Sequence, residues 1–204
     1  MEPIFRMLAI AQTPADMERY VDAARATPQL RLGLMARDPA HRRDGVEDLI
    51  RTALARHAPH NLTLISNAYP VPGSQLLHLT ALGLKELSSA GGGGCLRRAF
   101  GASTHSVQEA LLAERMGAEY ITLSPLFPTA SKPGITGGGL ELLAEVCAAV
   151  AVPVFALGGV TLANAASCIA AGAYGVAGIA LFAQNNIEEL HEAMQVAEQH
   201  SSPN

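Results

Sequence analysis

The stretch VFALGGVTLANAASCIAAGAYGVAGI, Val154–Ile179, decides the fold. It opens on four apolar residues, Val154–Leu157, a run suited to a strand covered on both faces. A glycine pair follows, and Thr161 is placed to cap a helix over Leu162–Ala171. A second apolar run, Gly175–Ile179, comes directly after that helix. Strand, helix and strand in so short a span make one βαβ unit, which implies a parallel sheet.

Outward from this unit the alternation repeats. Strands are expected at Phe5–Ala11, Leu30–Ala36, Leu62–Asn67, Leu76–Leu79, Arg98–Ser103 and Tyr120–Ser124. Helices are expected at Pro14–Ala24, Gly45–Arg56, Val107–Met116, Gly139–Val150 and Ile187–Gln199. In the second helix Val46, Leu49, Ile50 and Leu54 keep helical spacing. Eight strands in 204 residues leave about 25 residues per unit, the short end for a barrel. The expected fold is therefore α/β, a single (β/α)8 TIM barrel with parallel strands. It forms one domain over residues 1–204, with a polar tail at 199–204. An open doubly wound sheet is the rival, but it seldom needs eight parallel strands at this length.

Composition narrows the function classes. Hydrophobic residues make up 49% and charged residues 16%, which excludes intrinsic disorder. A net charge of −4 leaves no basic excess for a nucleic-acid backbone. No apolar run is long enough for a membrane helix, and the N-terminus lacks the pattern of a signal peptide. The three cysteines (Cys95, Cys147, Cys168) are widely spaced and form no metal-type pair. They read as reduced thiols in a cytoplasmic protein. The run Gly91–Gly94 reads as a flexible connector.

In such a barrel the chemistry sits at the C-terminal ends of the strands. Gly158 and Gly159 end the seventh strand at a helix N-terminus, and Gly178, Ile179 and Ala180 end the eighth. Together they form the expected phosphate cradle. After the sixth strand comes Ser124-Pro125-Leu126-Phe127-Pro128-Thr129-Ala130-Ser131-Lys132. Its Lys132 is one of only two lysines among fourteen basic residues, a point charge suited to a phosphate or pyrophosphate, or else a solvated surface group. Gly137–Gly139 reads as freedom for a lid. Ser103-Thr104-His105 ends the fifth strand, where His105 serves either in proton transfer or as a structural tie. Asn67 and His78 end strands three and four, with His78 either orienting a ligand or satisfied in the core. No Asp or Glu occurs from Leu62 to Lys85. Asp38 and Asp44, beside Arg37, Arg42 and Arg43, read as a solvated charged loop. No carboxylate pair is placed to hold a divalent metal.

These motifs carry a resemblance. Gly101-Ala102-Ser103-Thr104-His105-Ser106, Gly117-Ala118-Glu119-Tyr120, the loop from Ser124 to Lys132, Pro153–Val160 and Ala171–Ala177 follow one another as in the thiamine phosphate synthase/TenI family. The match is strong from Gly101 to about Phe182 and weak before it. The resemblance implies a TIM barrel of thiamine biosynthesis and most simply a homodimer, with a small-molecule ligand and no nucleic-acid or membrane partner. In the synthase branch an aminopyrimidine diphosphate loses pyrophosphate, and the nitrogen of a thiazole phosphate attacks the carbocation. Thr129 and Ser131 would then contact the thiazole. Lys132 and Ser103 would hold the pyrophosphate. The backbone of Gly158, Gly159, Ile179 and Ala180 would bind the thiazole phosphate.

The sequence departs from that pattern on one side. Asn67-Ala68 stands where the synthases have Asn-Asp, the second magnesium carboxylate is missing near Gly83, and only Arg37 remains of a basic motif at strand two. The first reading is therefore a TenI-like thiazole tautomerase without cofactor. In that branch the acid/base histidine lies where this chain has Pro125, so His105, His78 and Lys132 stand as candidates. The alternatives are a synthase using Mg²⁺ and a non-catalytic barrel that binds thiamine phosphate.

Overall fold

The computed structural model describes residues 5–91, 98–129, 134–182 and 186–201. Eight parallel strands close a ring in sequence order. They are β1 (Met7–Ala11), β2 (Leu32–Ala36), β3 (Leu62–Asn67), β4 (Leu76–Leu79), β5 (Phe100–Thr104), β6 (Tyr120–Leu123), β7 (Val154–Ala156) and β8 (Gly175–Gly178). β1 and β8 pair in register from Met7 opposite Val176 to Ala9 opposite Gly178. The helices are α1 (Pro14–Ala26), α2 (Arg43–Ala55), α3 (Ala81–Ser89), α4 (Val107–Arg115), α5 (Gly139–Ala149), α6 (Leu162–Ala170) and α7 (Ile187–Ser201). The barrel expectation holds. Among the described residues no helix is long and apolar enough to cross a membrane.

Helix α3 lies outside the expected elements. Thr80 starts it by accepting a hydrogen bond from the Gly83 amide, and Leu84 anchors it in the core. With one buried side chain in nine residues, its apolar stripe is too thin to read from periodicity. Three strands, β1, β2 and β5, begin two residues later than expected. Leu30 closes a turn back to Thr27 instead of joining β2. The buried Asn61 amide fixes this turn by donating to the carbonyls of Ala24, Thr27 and Leu30. Phe5 precedes β1 and packs its ring against Tyr120 and Phe155 inside the barrel.

Side-chain alternation divides the core in two. One face of the strands packs outward against the helices. The other fills the barrel with Leu8, Ile10, Met35, Ile65, Tyr120, Phe155 and Ala177. Glycines make room for the rings. A Cβ on Gly101 would lie 2.2 Å from Cζ of Tyr120, so the tyrosine ring lies where any other residue would put its side chain. This close approach delivers the Tyr120 hydroxyl to the centre of the barrel.

Candidate functional site

A cavity of about 710 Å³ opens at the C-terminal ends of the strands. Of the residues singled out from the sequence, Asn67, His78, Ser103, His105, Thr129, Gly158, Gly159, Gly178, Ile179 and Ala180 all line it. Ser131 and Lys132 lie outside the described residues, as do Cys95 and Gly92–Gly94.

One wall is built from backbone. Gly158 and Gly159 adopt φ of 89° and 69°, a region that favours glycine. Gly158 and Gly159 also lie under the loop that follows β6. A Cβ on Gly158 would lie 2.8 Å from Cα of Pro125, and one on Gly159 would lie 2.6 Å from the Pro128 carbonyl oxygen. The Leu126 and Phe127 amides donate to the carbonyls of Leu157 and Gly158. The amides of Gly158, Gly159 and Val160, and those of Ile179 and Ala180 on the neighbouring loop, make no hydrogen bond among the described residues. Thr161 and Asn164 form a capping box that starts α6 behind them. Asn164 also donates to the Gly159 carbonyl, holding that peptide in place. Unused amides just before a helix N-terminus suit an anion.

The floor is built from side chains. His78 is buried, with Nδ1 3.1 Å from the Tyr120 hydroxyl and Nε2 2.9 Å from the Ser103 hydroxyl. Burial pushes its pKa down to about 3, so the ring is neutral near pH 7. Thr122 sits beside Ser103 in the β5–β6 register. Its hydroxyl is buried and has no hydrogen-bond partner among the described residues. Asn67 donates to the sulfur of Met35.

The rim carries His105 and, from the loop after β2, Arg37 and His41. His105 is held at both ends. Its ring Nδ1 meets the Ser124 carbonyl, and its amide donates to the Glu109 carboxylate. It ties the loops after β5 and β6 together while facing the cavity. The three glycines expected to free a lid are instead part of a clamp. Gly138 and Gly139 donate to the carbonyls of Pro125 and Leu126, and a Cβ on Gly137 would lie 2.4 Å from the Leu126 carbonyl oxygen. Asp38 also differs from the expectation of a solvated charge. It is buried, accepts from the Arg42 amide at 2.8 Å, and is held ionised by that arginine, which pulls its pKa down.

Sequence reasoning missed Thr122 and His41. The alternation Tyr120-Ile121-Thr122-Leu123 is the signal that puts Thr122 on the inner face with Tyr120. Nothing in the sequence marks His41, which takes φ of 55° because the Tyr69 hydroxyl and the Asp38 carbonyl hold its backbone.

No carboxylate lines the cavity among the described residues, and no cluster of His, Cys, Asp or Glu could hold a metal ion there. Mg²⁺ is usually held by one or two carboxylates together with waters and substrate phosphates, and the described lining supplies no carboxylate for it.

Fold and site together define a (β/α)8 barrel with an open cavity at the C-terminal ends of its strands. Residues 96–182, which carry β5 to β8, match the family model described as thiamine monophosphate synthase. The putative thiamine-phosphate synthase 2 of Aquifex aeolicus is 49% identical over 82 residues, which is 40% of this chain and 44% of that protein. The thiamine-phosphate synthase of Methanoculleus marisnigri is 53% identical over 78 residues, 38% of this chain and 37% of the relative. The match thus spans less than half the length of these curated relatives. Two solved structures share the fold across nearly the whole chain. The thiamine phosphate pyrophosphorylase of Pyrococcus furiosus covers 96% of both chains at 19% identity, with a TM-score of 0.65. The BexX/CysO complex of Amycolatopsis orientalis covers 100% of this chain and 99% of the other at 17% identity, with a TM-score of 0.66.

Proposed function

We propose that the cavity binds a thiazole phosphate, with its phosphate on the amide cradle of Gly158, Gly159, Ile179 and Ala180. The observation carrying this reading is a set of five amides with no hydrogen bond among the described residues, three just before α6 and two on the loop after β8, all from residues that line the cavity. On this reading the chain performs the joining reaction named in its relatives. The thiazole nitrogen attacks the methylene carbon of an aminopyrimidine diphosphate, and pyrophosphate leaves. The names of the relatives support this over the tautomerase suggested by the sequence departures. Arg37 at the rim is the described cation best placed to meet the leaving group, and Lys132 remains the candidate from the sequence.

The tautomerase is kept as a second reading on one observation, the carboxylate-free lining. Calorimetry separates the two, using thiazole phosphate, thiazole carboxylate phosphate and aminopyrimidine diphosphate, each with Mg²⁺ or with EDTA. The synthase reading expects binding of the thiazole phosphate and the diphosphate, and formation of thiamine phosphate when both are supplied. Binding of the thiazole carboxylate phosphate alone, with isomerisation and no joining, supports the tautomerase. If no phosphorylated thiazole binds, both readings fail.

A further inference from the structure

The floor of the cavity contains a chain of three groups, Tyr120, His78 and Ser103, whose hydrogen-bond directions can be deduced. A buried hydroxyl needs an acceptor for its proton. Among the described residues, the only partner within reach of the Tyr120 hydroxyl is His78 Nδ1. If Nδ1 carried a proton, that hydroxyl would be left with no acceptor in the barrel interior. Tyr120 therefore donates to Nδ1, and the neutral ring keeps its proton on Nε2. Nε2–H then donates to Ser103 Oγ at 2.9 Å. Ser103 accepts this bond and keeps its own proton to donate, from a residue that lines the cavity. A serine primed as a nucleophile needs the opposite arrangement, with the histidine accepting.

Thr122 supplies the independent second observation. Its hydroxyl lies beside Ser103, is fully buried, and has no hydrogen-bond partner among the described residues. A buried hydroxyl left unmatched costs stability, and a ligand atom there would satisfy it. Among the described residues the floor carries no ionised side chain, whereas the cradle offers five amides and a helix N-terminus. A phosphate belongs on the cradle, and an uncharged acceptor belongs on the floor.

We propose that Tyr120 locks His78 as the Nε2–H tautomer, making Ser103 a fixed donor which, with Thr122, forms an uncharged subsite for an acceptor atom of the ligand's heteroaromatic ring. His78 and Tyr120 are positioning residues in this arrangement. The role differs from the pyrophosphate contact that family resemblance implies for Ser103. The ligand's identity rests on the function proposed above, but the tautomer does not.

Two measurements test it. The first is nitrogen-15 NMR of the ligand-free chain labelled at histidine, with Tyr120→Phe and His78→Gln to assign the signal. The expected result is a protonated Nε2 and an acceptor-type Nδ1 on His78, with the preference lost in Tyr120→Phe. A protonated Nδ1 in the wild type overturns the lock. The second is calorimetry with thiamine phosphate and with inorganic phosphate. Ser103→Ala is expected to weaken thiamine phosphate by roughly three- to tenfold, the worth of one neutral hydrogen bond, and to leave inorganic phosphate unchanged. His78→Gln, whose amide can still donate to Ser103, is expected to retain more affinity for thiamine phosphate than His78→Leu. Equal weakening of both probes by Ser103→Ala, or of neither, overturns the ring subsite. A wild-type chain that binds inorganic phosphate but not thiamine phosphate overturns the functional reading, and the ring subsite with it. The tautomer is still decided by NMR.

Discussion

His78 is held neutral at the centre of the barrel, and this has a consequence for stability. Its folded pKa of about 3 lies below the value of 6.5 for an exposed ring. As pH falls through 6.5 the unfolded chain takes up a proton that the folded chain refuses, so stability falls on the acid side and is unaffected above about pH 7.5. The expected loss between pH 7 and pH 5 is roughly 2 kcal/mol. Urea unfolding at the two values should show it in the wild type and show less of it in His78→Gln. An equal loss in both would put its origin elsewhere. Gly101 acts one residue further out. Gly101→Ala would push a methyl group into the Tyr120 ring, and a destabilisation of about 1–3 kcal/mol is expected from overpacking. Its calorimetric signature would be weaker thiamine phosphate binding, because the tyrosine that fixes His78 is displaced.

At the scale of elements, the cradle depends on two loops packed face to face. Gly158→Ala places a methyl group against Pro125 at a backbone angle that alanine disfavours, with an expected cost of about 1–3 kcal/mol. Gly159→Asp adds a carboxylate at the proposed anion site. It should abolish measurable binding of inorganic phosphate, and retained binding would place the phosphate elsewhere. These two glycines, with Thr161 and α6, were legible in the sequence because turn chemistry, helix cap and apolar strand coincide within one short stretch. The same holds for β3 to β8. Helix α3 was not legible, since a single buried leucine leaves no stripe. The roles of the glycines were half legible. Their conformations follow from residue type, but the loop lying over Gly158, and the clamp in place of a lid at Gly137–Gly139, depend on a neighbour distant in sequence. Asp38 shows the same limit, because its burial is created by Arg42 and the close approach of Gly45.

For the molecule as a whole, likeness in sequence and likeness in shape have different extents. The family match covers β5 to β8, the side that carries the cradle, while the shared fold extends across nearly the entire chain. The β1–β4 side holds Arg37, His41 and Asn67, and there the carboxylates of the synthase pattern are missing. Affinity for inorganic phosphate should therefore be the same in EDTA as in millimolar Mg²⁺. A tenfold gain with Mg²⁺ would mean that residues outside those described complete a metal site.

The pairing of β1 with β8 bears on how this protein can be dissected. Ring closure leaves no strand with an unpaired flank. A fragment cut to the family-matched segment would expose the flanks of β5 and β8, two open templates for association. It would also lose Phe5 from the barrel interior and the Tyr20 hydroxyl that donates to the Ile179 carbonyl. The recognisable half is thus not a separable module. The pairing of β1 with β8 makes the cradle side a complete wall.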